Sequence, residues 1–272
     1  MSSPNRLAVI GDPIAHSLSP LLHNAMAREL GLPYVYEARR VTADGLPVWL
    51  SEVRNEGWSG FNATMPHKMR LIPLLDGLTE QAKFFGAVNT VRNDNGVLTG
   101  HNTDGDGFAR MLAEHGFGFT GANVAILGAG GAAEAIARKA VQDGAARITI
   151  YNRTLDKAEK LRAVSPSTMS AAVLGGPVPK DTDFLISALP AGSRLNLDFI
   201  NGLDPRCAVV DILYAPPKTP LLEAAEAKGL FARNGLGMLV HQAILAFEFF
   251  TGSVIDPEPM AKLLYRELSD KT

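Results

Sequence analysis

The sequence contains very little cysteine. Of 272 residues only Cys207 is a cysteine, so no disulfide can form within the chain and no cluster of thiolates can hold a metal. Cys207 stands directly before the apolar run AVVDIL, a position that predicts a buried strand residue rather than a reactive thiol. The six histidines do not recur at the short spacings typical of metal ligands, so we expect no metal.

The sequence also lacks an excess of positive charge and a long hydrophobic run. Its formal net charge is −2, so it has no basic surplus to neutralise nucleic acid or an anionic lipid surface, and we expect neither partner. The apolar stretch AILAFEFF (243–250) contains Glu248 and is too short to span a membrane. The first residues, MSSPNRLAVIGDP, do not have the pattern of a secretory signal, and we expect a cytoplasmic protein.

Short apolar runs alternate with amphipathic stretches along most of the chain. This alternation predicts βαβ units and therefore an α/β fold with mostly parallel sheets. Ser19 is predicted to cap a helix that continues with Pro20, and Gly144 and Gly229 are predicted to end helices. The predicted strands cover residues 7–11, 34–41, 60–64, 123–128, 147–152, 183–189 and 208–213, and the predicted helices 19–30, 132–144, 219–229 and 238–252.

The chain is long enough for two domains. A helix and the glycine-rich GFGFTG (116–121) precede a new strand, which indicates a boundary near this point, and a second boundary is expected near Gly235. We predict one domain in residues 1–105, a second in residues 106–237, and C-terminal helices in 238–272 that pack back on the first domain.

A glycine-rich turn joins the strand NVAILG to the following helix. Gly128, Gly130 and Ala133 form a G-x-G-x-x-A arrangement: the first permits a tight turn, the second lets the backbone approach a pyrophosphate, and the third keeps helix and strand close. The N-terminus of the helix supplies unpaired N–H groups for the anion. With a further strand in place afterwards, the stretch predicts a dinucleotide site at Gly128, Ala129, Gly130, Gly131 and Ala132.

The end of the next strand indicates which dinucleotide would bind. About 20 residues after the glycines, NAD-binding chains usually carry an acidic residue that accepts from the ribose hydroxyl. This sequence instead has Asn152, Arg153 and Thr154, with Lys157 one turn later. Arginine, threonine and lysine would hold a 2′-phosphate that a carboxylate would repel, so we predict NADP as the cofactor. The alternative is that these are solvated residues at the start of a helix.

Small polar residues follow several predicted strands of the first domain. Because ligands bind outside the carboxyl ends of strands in open parallel sheets, these residues could converge on one polyhydroxylated molecule. Taken singly, each is better explained as a cap or turn residue, except Ser19, for which a helix cap and a ligand contact are about equally good explanations. They are Ser17, Ser19, Asn62, Thr64, Lys68, Asn89, Asn102 and Asp104.

Eight ordered segments resemble the motif series of the shikimate dehydrogenase family. The resemblance covers residues 10–243 and, with the C-terminal helix, almost the whole chain. The segments are IGDPIAHSLSP (10–20), FNATMPHK (61–68), GAVNT (86–90), NTDG (102–105), LGAGGAA (127–133), NRT (152–154), YAPPKTPLL (214–222) and NGLGMLVHQA (234–243).

The resemblance implies a substrate domain, a Rossmann-type domain, and NADP-dependent, reversible reduction of 3-dehydroshikimate to shikimate in aromatic amino-acid biosynthesis. By motif position, Lys68 and Asp104 would be the catalytic pair. A lysine can exchange the proton that accompanies hydride transfer, while the aspartate would orient it; a proton relay through Asp104 is the open alternative. The resemblance further implies substrate contacts from Ser17, Ser19, Asn62, Thr64, Asn89, Tyr214 and Gln242, and cofactor contacts from Ile212, Gly235 and Met238.

The sequence departs from the family pattern at three places. Ala63 replaces a usual Val, Ala133 replaces a usual Ser, and ISALPAGS (186–193) replaces a polar Asn-Ala-Thr-Ser type of loop, which would alter how the cofactor is held. Two other functions are considered: a quinate or aminoshikimate dehydrogenase, and a non-catalytic NADP-binding regulatory module. The intact Ser17, Ser19, Thr64 and Arg153 argue against the first, and the pair Lys68 and Asp104 against the second. We expect a monomer or a homodimer.

Overall fold

The structure is a computed structural model that describes residues 4–270. These residues divide into two compact units. One runs up to Gly107 and resumes at Val240, and the other is Phe108–Leu239. The predicted domains begin at residue 1 and end at residue 272, and both ends (1–3 and 271–272) lie outside the described residues.

The first unit is built on a six-stranded mixed sheet. Its strands are β1 (Asn5–Gly11), β2 (Tyr34–Arg40), β3 (Trp58–Ala63), β4 (Gly77–Leu78), β5 (Thr90–Asp94) and β6 (Val97–His101). The order across the sheet is β2-β1-β3-β5-β6-β4. Strands β1, β2 and β3 are parallel, whereas β5 is antiparallel to both β3 and β6. The helices in and after this part of the chain are α1 (Ser19–Glu29), α2 (Leu46–Asn55), α3 (Glu80–Phe85) and α4 (Asp104–Ala113).

The second unit carries a six-stranded sheet that is parallel throughout. Its strands are β7 (Asn123–Leu127), β8 (Arg147–Asn152), β9 (Met169–Val173), β10 (Phe184–Ser187), β11 (Ala208–Asp211) and β12 (Phe231–Asn234). The order β9-β8-β7-β10-β11-β12 is the 3-2-1-4-5-6 order of a Rossmann fold. The remaining helices are α5 (Gly131–Gln142), α6 (Leu155–Arg162), α7 (Pro220–Ala227), α8 (Leu236–Thr251) and α9 (Pro257–Ser269).

The α/β class and the mostly parallel sheets are confirmed. The C-terminal residues from Val240 onward belong to the first unit, where α9 packs against α1. Gly144 and Gly229 have positive φ values of 81° and 71° just after the ends of α5 and α7, as expected of glycines that end helices.

The prediction that Ser19 caps α1 is wrong by one position. Ser19 is the first helical residue and Leu18 is the N-cap, without a capping side-chain hydrogen bond. The hydroxyl of Ser17 accepts instead from the Ser19 N–H at 3.3 Å. The helix therefore starts one residue earlier than the Ser-Pro pair suggests.

Five short strands were not predicted: β4, β5, β6, β9 and β12. The β5–β6 hairpin turns at Asn95 and Gly96, both with positive φ, and Asn-Gly is a common sequence signal for such a turn. The other missed strands have two, four or five residues, too few to show a period.

The described residues form separate cores for the two sheets. In the first unit Phe61, Trp58 and Trp49 pack under the sheet, with Trp49 edge-on to both other rings. In the second unit Cys207 is fully buried, and burial raises the pKa of its thiol to about 12, so this cysteine is core filling. Within residues 4–270 no helix has both the length and the apolar character needed to cross a membrane.

His23 on α1 is buried without a charge. Its ring stacks on Tyr36 with centroids 4.1 Å apart and lies near Phe247 and Phe250. Burial lowers the pKa of His23 from 6.5 to about 3. The native state therefore keeps His23 neutral at a pH where the unfolded chain would protonate it.

This difference predicts an acid-sensitive contribution to stability. Unfolded His23 binds a proton below about pH 6.5 and native His23 only near pH 3, so the free energy of unfolding should fall as pH drops through this window. The slope from this residue is at most about 1.4 kcal/mol per pH unit. When urea unfolding is measured at pH 7 and at pH 5, the decrease in the free energy of unfolding from pH 7 to pH 5 should be smaller for His23→Phe than for the wild type.

The exposed His16 offers the matched control. His16→Asn should keep the wild-type difference between pH 7 and pH 5. An unchanged difference in His23→Phe would contradict the assignment to His23.

Candidate active site

Lys68 and Asp104 form an ion pair in the first unit. The Lys68 Nζ donates to Asp104 Oδ2 at 2.6 Å, and the Asp104 side chain is 9% exposed against 27% for Lys68. Lys68 lies in the turn after β3, where its carbonyl accepts from the Val88 N–H, and Asp104 is the first residue of α4. Residues 36 positions apart are thus brought together with a partly exposed ammonium, as a proton-exchanging group requires.

Two asparagines hold the Asp104 end of this pair. Asn89 Nδ2 donates to Asp104 Oδ1 at 2.9 Å, and Asn102 Oδ1 accepts from the Asp104 N–H at 3.0 Å. Asn102 is tied in turn to the Ala87 carbonyl. With both carboxylate oxygens bonded, Asp104 is fixed in direction, and Lys68 is oriented by it.

The other predicted polar residues of this unit lie on the same elements. Thr64 follows β3, and its hydroxyl makes no hydrogen bond to another residue of the range 4–270, while its N–H donates to Ile10. Asn62 lies on β3 and Ser17 and Ser19 at the start of α1. Gln242 lies on α8 beside Gly107 of α4, where any added Cβ would come within 2.7 Å of Gln242.

The glycine turn of the second unit has the geometry of an anion cradle. Gly128 has φ of 112°, and a Cβ there would lie 2.8 Å from the Ala188 carbonyl oxygen, so only glycine fits. Gly130 is the extended N-cap of α5, and a Cβ on Gly130 or Gly131 would meet nothing within 4 Å. The turn therefore leaves room beside Gly130 and Gly131 at the N-terminus of α5, which continues with Ala132, and the unpaired N–H groups of a helix N-terminus are suited to binding a phosphate.

The end of β8 presents two positive side chains. Arg153 and Lys157 are exposed, and neither side chain makes a hydrogen bond or ion pair within the described part of the chain. Thr154 is the N-cap of α6 but its hydroxyl does not cap the helix. Asn152 Nδ2 donates to the Thr154 carbonyl and shapes this turn. The group is available to a ligand phosphate.

Ile212 and Gly235 touch through their backbones. A Cβ at Gly235 would lie 1.9 Å from the Ile212 carbonyl oxygen, so the position admits only glycine. Met238 follows on α8 and packs against the core of the second unit with Ala129. Tyr214 also belongs to the second unit, and burial raises the pKa of its hydroxyl. Tyr214 is therefore not among the site residues of the first unit.

Among residues 4–270 no cluster of three or more His, Cys, Asp or Glu side chains is arranged to hold a metal ion. The site chemistry in the first unit consists of one ion pair and neutral hydrogen-bonding groups.

Family models match the chain in three parts. The shikimate dehydrogenase substrate binding domain matches residues 9–91, shikimate / quinate 5-dehydrogenase matches 111–189, and the shikimate 5'-dehydrogenase C-terminal domain matches 235–265. The shikimate dehydrogenase (NADP(+)) of Alkaliphilus metalliredigens (strain QYMF) is 39% identical over 95% of both chains. The chain belongs to the shikimate dehydrogenase family.

Two solved structures illustrate the range of the family. Shikimate 5-dehydrogenase from Thermus thermophilus, in complex with NADP(H) and shikimate, is 35% identical with a TM-score of 0.85, covering 97% of this chain and 99% of that one. Quinate dehydrogenase from Corynebacterium glutamicum, in complex with NAD, is 31% identical with a TM-score of 0.88, covering 97% and 100%. Fold similarity alone therefore does not distinguish the two activities.

The departures from the shikimate dehydrogenase pattern have local structural accounts. Ala63 and Ala133 are buried in the two cores, where each packs closely. Ser187 is buried at the end of β10, next to Asp211 in the pairing of β10 with β11. Burial raises the pKa of Asp211, and Thr219 and the Leu213 N–H donate hydrogen bonds to its carboxylate. Ser187 thus lies beside the carboxylate that holds the turn before Tyr214.

Two residues in contact with the site were missed. Tyr36 on β2 donates its hydroxyl hydrogen to Asn62 Oδ1 at 2.7 Å, and Thr90 on β5 bonds to both Asn62 and Asn89. Tyr36 stands in an ordinary alternating strand, so no local signal marks it. Thr90 does lie within GAVNT, but the motif by itself does not show what its hydroxyl contacts.

Proposed function

We propose that this chain catalyses the NADP-dependent, reversible reduction of 3-dehydroshikimate to shikimate, a step of aromatic amino-acid biosynthesis. The observation that carries the proposal is the Lys68–Asp104 pair at 2.6 Å within a family member that retains the surrounding polar residues. The first unit would be the substrate-binding domain and the second the NADP-binding domain.

The proton chemistry follows from Lys68. Bound NADPH supplies the hydride to the ketone carbon. Lys68 Nζ gives a proton to the oxygen that becomes the shikimate hydroxyl, and in the oxidation it takes that proton back. Asp104 Oδ2 keeps the Lys68 ammonium aimed at this oxygen. The pair thus balances each hydride with one proton in both directions.

The remaining roles are proposals of the same kind. Ser17 and Ser19 would hold the substrate carboxylate, with Tyr214 as a further substrate contact, and Asn62, Thr64, Asn89 and Gln242 would hold the ring hydroxyls. Because the Asn62 amide nitrogen already donates to Asn89 and Thr90, and Oδ1 accepts from the Tyr36 hydroxyl, only the second lone pair of Oδ1 can accept from a substrate hydroxyl. Gly128 to Ala132 would bind the pyrophosphate, and Ile212, Gly235 and Met238 the nicotinamide. A cytoplasmic location and the state of a monomer or homodimer stay predictions.

Quinate oxidation is the second candidate, favoured by the similarity to a quinate dehydrogenase structure. The experiment measures initial rates at the nicotinamide absorbance band for shikimate and quinate, each with NADP and NAD. The proposal expects the highest kcat/KM for shikimate with NADP. A higher value for quinate would replace the substrate assignment. No turnover in any of the four mixtures, with NADP still bound, would support a regulatory module.

Removing the lysine tests the catalytic pair. Lys68→Ala should lower kcat by about 10²- to 10⁴-fold because no general acid–base group remains at the reacting oxygen. The circular dichroism spectrum and the Kd for NADP should not change. Lys83→Ala is the control, since Lys83 is an exposed lysine that pairs with Glu80 on the same helix. Near-normal kcat in Lys68→Ala would refute the assignment.

Removing the arginine tests the cofactor preference. Arg153→Ala should raise the Kd for NADP by about 10- to 100-fold, as expected for the loss of hydrogen bonds between charged groups. The Kd for NAD should change by less than about 3-fold, because NAD lacks the 2′-phosphate. Isothermal titration calorimetry gives both values.

Arg162→Ala is the control for this prediction, because Arg162 ends the helix α6 that follows Arg153 and pairs with Glu159. Equal losses of affinity for NADP and NAD in Arg153→Ala would show that Arg153 does not read the 2′-phosphate.

A further inference from the structure

We propose that Tyr36 and Thr90 are positioning residues whose hydroxyls, through Asn62 and Asn89, fix the carboxylate of Asp104 and hence the direction of Lys68. The proposal rests on the proposed function only in taking Lys68 as the proton-exchanging group. It concerns a chain of hydrogen bonds inside the first unit, which runs from Tyr36 to Asp104.

Asn89 is oriented by a backbone donor. The Thr103 N–H can only donate, so the Asn89 atom 3.0 Å away must be Oδ1, and Nδ2 then faces Asp104 Oδ1 and Thr103 Oγ1. Asn62 is oriented in the same way by a backbone acceptor. The Asn89 carbonyl can only accept, so Nδ2 of Asn62 faces it at 3.0 Å. Neither amide can turn over without opposing like groups.

These two amides force the direction of both hydroxyls. Thr90 Oγ1 lies 2.9 Å from Asn62 Nδ2 and 2.9 Å from Asn89 Oδ1, so it must accept from the first and donate to the second. The Tyr36 hydroxyl, 2.7 Å from Asn62 Oδ1, must donate. Every bond therefore points the same way, from Tyr36 through Asn62, Thr90 and Asn89 to Asp104.

A chain with one direction strengthens its own members, because each donor is polarised by the bond it accepts. All of its members are buried: Thr90 is 0% exposed, Asn89 and Tyr36 are 3%, and Asp104 is 6%. The chain ends on Asp104 Oδ1, while the other oxygen, Oδ2, holds Lys68. The direction of the Lys68 ammonium thus depends on hydroxyls that need not touch the substrate.

Tyr36, the first member of this hydrogen-bond chain, is held firmly in place. Asn24 bonds to both backbone groups of Tyr36, and His23 stacks on the Tyr36 ring with an interplanar angle of 4°. Thr90 stands directly opposite Asn62 across β3 and β5, and Asn62 is thereby bonded on both sides. Because Tyr36 and the β3–β5 pairing are both rigid, the hydrogen bonds that end on Asp104 leave its carboxylate little freedom to rotate.

The turnover test uses three variants and one control. Thr90→Val should lower kcat by about 10-fold with a smaller change in the KM for NADP, because a misdirected Lys68 affects the chemical step. Thr90→Ser, which keeps the hydroxyl, should stay within about 3-fold of the wild type, and Tyr36→Phe should lose less than Thr90→Val. Thr182→Val removes a comparably buried hydroxyl in the second unit, bonded to Pro179, and should leave kcat unchanged.

The decisive test is a double-mutant cycle with Asp104→Ala. If Thr90 acts through Asp104, the loss of urea midpoint in the double variant is smaller than the sum of the two single losses, and Thr90→Val lowers kcat no further when Asp104 is absent. Additive losses of midpoint, or failure of Thr90→Ser to restore kcat, would overturn the proposal. The unfolding cycle needs no turnover, so an inactive wild type would reject the proposed function and leave this test valid.

Discussion

The hydrogen bond between Lys68 Nζ and Asp104 Oδ2 is the interaction around which the first unit is arranged. A carboxylate that is 9% exposed is strongly destabilised unless charge and hydrogen bonds compensate it. Lys68 supplies the charge, and Asn89 and Asn102 supply the hydrogen bonds. The strand order brings the two residues together. Strand β5 lies between β3, which Lys68 follows, and β6, which Asp104 follows.

The second unit solves a similar problem with Asp211. Asp211 is 4% exposed at the end of β11, and its carboxylate accepts hydrogen bonds from the Thr219 hydroxyl and the Leu213 N–H. They hold the turn that begins at Ile212, whose carbonyl in turn permits only glycine at position 235. The family departure at Ser187 is therefore a buried residue of β10 that lies beside Asp211 in the sheet.

Much of the architecture could be predicted from the sequence, because buried parallel strands are continuous apolar runs. Strand β8 was predicted with its observed bounds, and β1, β2, β3, β7, β10 and β11 within a few residues. The antiparallel pair β5–β6 was not, since half-exposed residues such as Arg92 and Thr99 interrupt any apolar run there. The start of α1 was misplaced by one residue, because Leu18 rather than Ser19 is the N-cap.

The sequence by itself determined the fold class, the glycine turn, the basic residues after β8 and, through the family resemblance, the pairing of Lys68 with Asp104. These features depend on local pattern or on motifs, which a chain displays in order. Only the tertiary structure decided that Tyr36 and Thr90 belong to the site. Hydrogen bonds between side chains depend on the register of β3 against β5 and on which atom of each amide faces its neighbour, and neither is written in residue spacing.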